Sequence, residues 1–138
     1  MAITSKYIIV CDDVRREDNG KIILIGIYLP DMAVPQIPFA MPTLTFFLVL
    51  DSDRPGNFPF RMKLEHLESG KALVEGMGAI PINVPGQVVM PIKMGNVQFA
   101  GAGAYSFSLT IDGQKEPIVT SFNVILVIPG APQQSQQR

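Results

Sequence analysis

The chain has 138 residues, with 11 Lys and Arg against 12 Asp and Glu and a net charge of −1. That length suits one domain that closes its own core without disulfides or metal, and a single cysteine rules out an internal disulfide. Singly scattered basic residues argue against nucleic acid, which calls for a basic stripe. The apolar runs, such as Ile22 to Ile25 and Val124 to Ile128, fall far short of a membrane span.

Met1 to Lys6 leads straight into a strand without an apolar signal segment, so a cytoplasmic protein is expected. Lys6 to Val14 is the first strand. Asp18-Asn19-Gly20-Lys21 then places Asn-Gly at the centre of a two-residue turn. Pairing Asp18 with Lys21 sets Val14 against Ile25 and Val10 against Leu29. In that register Val10, Val14, Ile23, Ile25, Ile27 and Leu29 share one face, while Cys11, Asp13, Arg15, Leu24, Gly26 and Tyr28 share the other. Asp12 falls on the apolar face, where a carboxylate is costly, and a β-bulge near Cys11-Asp12-Asp13 is expected to swing it out.

Prolines at 30, 35, 38 and 42 exclude a helix or a central strand from Pro30 to Pro42, which reads as an extended crossover. Leu44 to Leu50 is a third strand, apolar enough to be central, and residues 51–57 form an exposed loop. Phe60, Met62, Leu64 and His66 alternate with Arg61, Lys63 and Glu65, giving a strand with one wet face. Ala72 to Met77 and Val88 to Lys93 are further strands. Tyr105, Phe107, Leu109 and Ile111 alternate with small polar residues and run into Asp112-Gly113, a second hairpin signal. Folding about that turn sets Leu109 opposite Glu116 and Phe107 opposite Ile118, with Thr120, Phe122, Val124 and Leu126 on the face of Phe107. Gly103-Ala104-Tyr105 matches the tyrosine corner of Greek-key sandwiches.

The sum is an all-β, antiparallel, Ig-like β-sandwich of about eight strands. One domain is expected over residues 1–130, with residues 131–138 a frayed polar tail. Cys11-Asp12-Asp13-Val14-Arg15, Asn19-Gly20-Lys21-Ile22 and Leu24-Ile25-Gly26-Ile27-Tyr28 resemble the opening of a family of uncharacterised bacterial proteins. The Phe pair in Leu44 to Leu50 and the Gly-x-Tyr-x-Phe to Asp-Gly ending are similar too, so the likeness runs from about Lys6 to Ile128. The resemblance implies an all-β sandwich and carries no reaction, ligand or site.

Cys11 and His66 are the sole Cys and His, so a nucleophile–base pair would have to be these two. Nothing in their spacing joins them, and a buried strand cysteine is the simpler reading. Asp51 and Asp53 share a loop that Asp31 or Asp112 could join around calcium, although Asp-x-Asp before Arg-Pro-Gly is ordinary turn chemistry. Gly76-x-Gly78 and Gly101-x-Gly103 complete no phosphate loop, so close packing or bulges explain them better.

From Ala79 to Ile111 the one charged side chain is Lys93. A sandwich strand buries one face in its own core, so about half of the apolar groups there should point elsewhere. Val88, Val89, Met90, Ile92, Met94, Val97 and Phe99 are therefore the candidate interface of a homodimer, with cover by the Pro30-to-Pro42 segment as the competing explanation. The expected role is a non-catalytic binding or assembly module, with no cofactor and a second copy or another protein as partner. A small-ligand or calcium-binding sandwich is the alternative, and an enzyme comes third.

Overall fold

The structure is a computed structural model describing residues 3–29 and 31–127. Among them every regular element is a strand: β1 (Ile3–Arg16), β2 (Ile22–Ile27), β3 (Asp31–Val34), β4 (Phe39–Ser52), β5 (Gly56–His66), β6 (Lys71–Ile82), β7 (Gly86–Phe99), β8 (Gly103–Ile111) and β9 (Ile118–Leu126). They form a four-stranded sheet in the order β2-β1-β4-β7 and a five-stranded sheet in the order β3-β9-β8-β5-β6. Pairing is antiparallel except between β3 and β9, which run parallel. The tail expected at 131–138 lies outside the described residues.

The core lies between the sheets. Phe46 of β4 stacks on Phe107 of β8 with ring centroids 4.2 Å apart, and Phe99 meets Tyr105 edge-on at 5.1 Å. Leu44, Leu48 and Leu50 line the same side of β4 as Phe46, as the period of two requires. The Tyr105 hydroxyl donates to the Gly101 carbonyl at 2.5 Å, which is the corner contact expected of Gly103-Ala104-Tyr105. Gly76 and Gly78 lie across from Met62 and Phe60, and a Cβ at Gly78 would stand 2.9 Å from the Phe60 ring. Close packing, not phosphate binding, accounts for that glycine pair.

Two local devices set which side chains enter the core. A register shift between Ser5 and Tyr7 turns Ile3 inward alongside Ile8 and Val10. Further on, the alternation reverses in both β4 and β7 while their pairing keeps step: Asn96 has φ 54 and lies across from Pro42. Thus Met94 and Val97 are both buried, as are Met41 and Leu44.

Four expectations need correction. The proline-rich segment is not only a crossover: Asp31–Val34 adds a short parallel edge strand to β9 and buries Met32 and Val34, and Phe39 to Pro42 begin the central strand β4. The closing hairpin pairs Leu109 with Ile118, two residues from the expected register, since residues 112–117 are taken up by the loop. The opening hairpin is off by one. Its loop is three residues long, closed by Glu17 and Lys21 (Glu17 N to Lys21 O, 2.8 Å), with Gly20 at φ 89. Cys11 therefore opposes Ile27, and Asp13 opposes Ile25. Finally, no residue is inserted at Asp12. The irregularity is Gly26 across from it, at φ 70, where any Cβ would collide with the Asp12 carboxylate. Asp12 stays half-buried and accepts a hydrogen bond from the Tyr28 hydroxyl.

Candidate functional site

A one-residue change of register turns every side chain to the opposite face. In the observed pairing, Val10, Val14, Leu24 and Tyr28 share the inner side of the β1–β2 hairpin. Ile23, Ile25 and Ile27 point outward with Cys11. The rows continue across the sheet: Cys11 opposes Thr45, Ile9 opposes Phe47, and Tyr7 opposes Val49. On the far side Phe47 opposes Pro91 and Val49 opposes Val89. The two middle rows of the outer face are therefore apolar across the sheet, while the Cys11 row passes through Thr45 to Lys93, and Asp13 and Arg15 stand beside Ile25 and Ile23.

Its groups are not absorbed by the core. Cys11, Phe47 and Val49 are buried yet form no part of the cluster between the sheets; their neighbours along each row shield them. The flanks remain in water: Tyr7 is 57% exposed, Ile23, Ile25 and Ile27 between 42% and 45%, and Val89 41%. No third layer lies over this face among the described residues.

Charge is confined to the ends. At one end Asp13 takes Lys93 Nζ at 2.6 Å and Arg15 Nε at 2.8 Å. The Lys93 hydrogen bond first, then that of Arg15, hold the Asp13 carboxyl well below its usual range. At the other end Lys6 meets Asp51 at 3.9 Å. A cleft of about 260 Å³ separates the hairpin end, through Val14, Arg15, Arg16 and Ile22, from Pro91 and Lys93.

Of the seven residues proposed from sequence as an interface, Ile92, Met94, Val97 and Phe99 are buried in the chain's own core, and Val88 and Met90 pack against it. Only Val89 is among the exposed large hydrophobics. The cover over this stretch comes from the opposite sheet and from Phe39 and Met41 at the start of β4, which belong to the proline-rich segment. Tyr7, Ile9, Ile23, Ile25, Ile27, Phe47 and Val49 were not singled out from sequence. One signal was available: Phe46 to Leu50 is apolar at consecutive positions, and such a strand needs cover on both faces.

The other candidate groups do not converge. Cys11 lies on the four-stranded sheet, with its Sγ 3.5 Å from the Asp13 carbonyl, and burial followed by the Asp12 and Asp13 charges pushes its thiol pKa up. His66 lies on the five-stranded sheet, stacked on Tyr105 at 4.6 Å. Its ring nitrogens meet Ser69 Oγ at 3.0 Å and the Ala102 carbonyl at 2.9 Å. The loop carboxylates are dispersed: Asp51 is with Lys6, Asp53 with Arg54 at 3.2 Å, and Asp31 accepts from Asn123 at 3.3 Å. Among the described residues no three His, Cys, Asp or Glu come together in a way that could hold a metal ion. A surface cleft of about 530 Å³ between Phe60, Met77 and the β8–β9 loop has Arg61 and Asp112 as its charged lining residues. No helix among the described residues is long and apolar enough to cross a membrane.

The chain belongs to the family of unknown function DUF6941, whose model matches residues 6–125. No functionally curated protein matches the sequence.

Proposed function

We propose that the protein is a non-catalytic assembly domain whose working surface is the outer face of its four-stranded sheet. One observation carries this reading: Tyr7, Ile23, Ile25, Ile27 and Val89 are exposed around the buried stripe Cys11, Phe47 and Val49. A contiguous apolar face of this kind marks an interaction surface. The placement of Cys11 and His66 on separate sheets supports a role without catalysis.

The test is site-specific photo-crosslinking in the protein's native cells. A photoreactive side chain at Ile25 is expected to give a discrete protein adduct. The same group at Ser108, on the outer face of the five-stranded sheet, is expected to give none. Equal labelling from both positions, or none from Ile25, sinks the reading.

A further inference from the structure

We infer that the occupant of this face is a second copy of the chain, packed sheet against sheet about a two-fold axis that runs across the strands. The inference rests on the assembly reading above and names its partner.

Size comes first. β1, β4 and β7 are each 14 residues long. Three strands of fourteen residues at about 3.3 Å each and about 4.8 Å apart, with the six-residue β2 at one edge, give a face of about 550 Å². A stable complex of standard size buries about 800 Å² on each partner. Two such faces together bury about 1,100 Å², which reaches the size of a specific contact between copies, as in a sandwich of aligned sheets.

Its chemistry is that of a homodimer centre. No charged group interrupts Ile9, Cys11, Phe47 and Val49, and charge depletion at the middle is what separates such interfaces from ordinary surface. A nucleic acid, an anionic membrane or a strongly charged peptide would call for a field of one sign. Here both ends carry mixed charge: Asp13 with Lys93 and Arg15 at one, Lys6 with Asp51 at the other.

The same charges choose the axis. On the outer face at that end Lys93 and Arg15 surround a single carboxylate, Asp13, so these three groups leave one positive charge over. An axis along the strands would lay this end over its own copy, and like charges meeting across an interface are unfavourable. An axis across the strands near Ile9 and Cys11 lays Arg15 of one copy over the Asp51 end of the other.

Sedimentation equilibrium on the full chain tests the inference, with twice 15.1 kDa as the expected mass. Ile27→Lys and Val89→Lys should each weaken the dimer more than about tenfold, a cost of about 1.4 kcal/mol or more, without altering the circular dichroism. Ser108→Lys should leave it intact. Arg15→Glu should weaken the dimer, and adding Asp51→Arg should restore it if the axis runs across the strands. Failure of that rescue overturns the axis.

A monomer at about 100 µM, with a dissociation constant weaker still, overturns the second copy. If the Ile25 crosslink then joins a different protein, the assembly reading stands and this inference falls. If it joins residues 128–138 of the same chain, or nothing, both fall.

Discussion

The two outer faces of the sandwich obey one alternation rule and end in opposite states. On the five-stranded sheet, the side turned away from the core carries Arg61, Lys63, Glu65, Ser106, Ser108, Thr110, Ser121 and Asn123, with Lys63 and Glu65 paired at 3.2 Å and with Met77, Val119 and Ile125 as separate apolar groups among them. On the four-stranded sheet the corresponding side carries Tyr7, Ile9, Ile23, Ile25, Ile27, Phe47, Val49 and Val89. An antiparallel sheet with one face on the core normally keeps the other polar, and the first sheet largely does so, its exposed apolar groups Met77, Val119 and Ile125 being interspersed with polar ones. The second is patterned like a layer inside a larger assembly.

Neighbouring phenylalanines on β4 give the largest expected effect. Phe46→Ala removes one half of the stack that joins the sheets and should cost about 4 kcal/mol at any protein concentration. If the proposed dimer forms, Phe47→Ala should cost less at high dilution, and its cost should grow with concentration, because the associated form would use that ring fully. Denaturant melts over a range of concentrations measure both. Equal, concentration-independent costs would erase the distinction between the faces.

Next in size is the residue that holds the opening hairpin in register. Gly26→Ala places a Cβ against the Asp12 carboxylate at a φ of 70 and should cost about 2 kcal/mol. In an Asp12→Ala background the same substitution should cost less, since the collision is gone and only backbone strain remains. Additive costs in this double-mutant cycle would show that Asp12 has no part in keeping residue 26 bare.

The smallest effect is electrostatic. Asp13 has its folded pKa depressed by Lys93 and Arg15, so its contribution is present above the unfolded value near 3.8 and is lost as pH falls below it. Asp13→Asn should therefore lower the melting temperature slightly at neutral pH, and the gap from wild type should close on acidification below about pH 3.8. A gap that persists undiminished at the acid end would mean that the Lys93 contact contributes nothing through charge.

The two hairpins show why the fold was legible in the sequence while the site was not. At Asp112-Gly113 the pairing expected from sequence and the observed pairing differ by two residues. A shift of two returns each side chain to the same face, so Phe107, Phe122 and Val124 enter the core as expected. At Asn19-Gly20 they differ by one. That shift sends Ile23, Ile25 and Ile27 from the expected core side to the outside, and with them went the site. Asn-Gly suits a two-residue turn and a three-residue loop alike, so the dipeptide alone does not choose. The uncharged run around β7 drew attention for a sound reason, but the reversal at Asn96 and Pro42 lets one strand bury Ile92, Met94, Val97 and Phe99 together. The short strand Asp31–Val34 was hidden because four residues among prolines carry little periodicity, and its parallel partner β9 lies far along the chain.

The order of strands also bears on how fast the chain can reach this state. β4 sits between β1 and β7, yet β5 and β6 of the other sheet intervene between β4 and β7 along the chain. The pairs β1–β2, β5–β6 and β8–β9 are local hairpins; β1–β4, β4–β7, β5–β8 and β3–β9 each close a long loop. Such non-local topology puts refolding on a scale of about milliseconds to seconds. Through that interval β4 waits with Phe46 and Leu48 on one side and Phe47 and Val49 on the other, apolar on both and not yet flanked. A strand apolar on both faces is where partly folded chains coalesce, and β1, complete before β4 during synthesis, is the first neighbour that can pair with it.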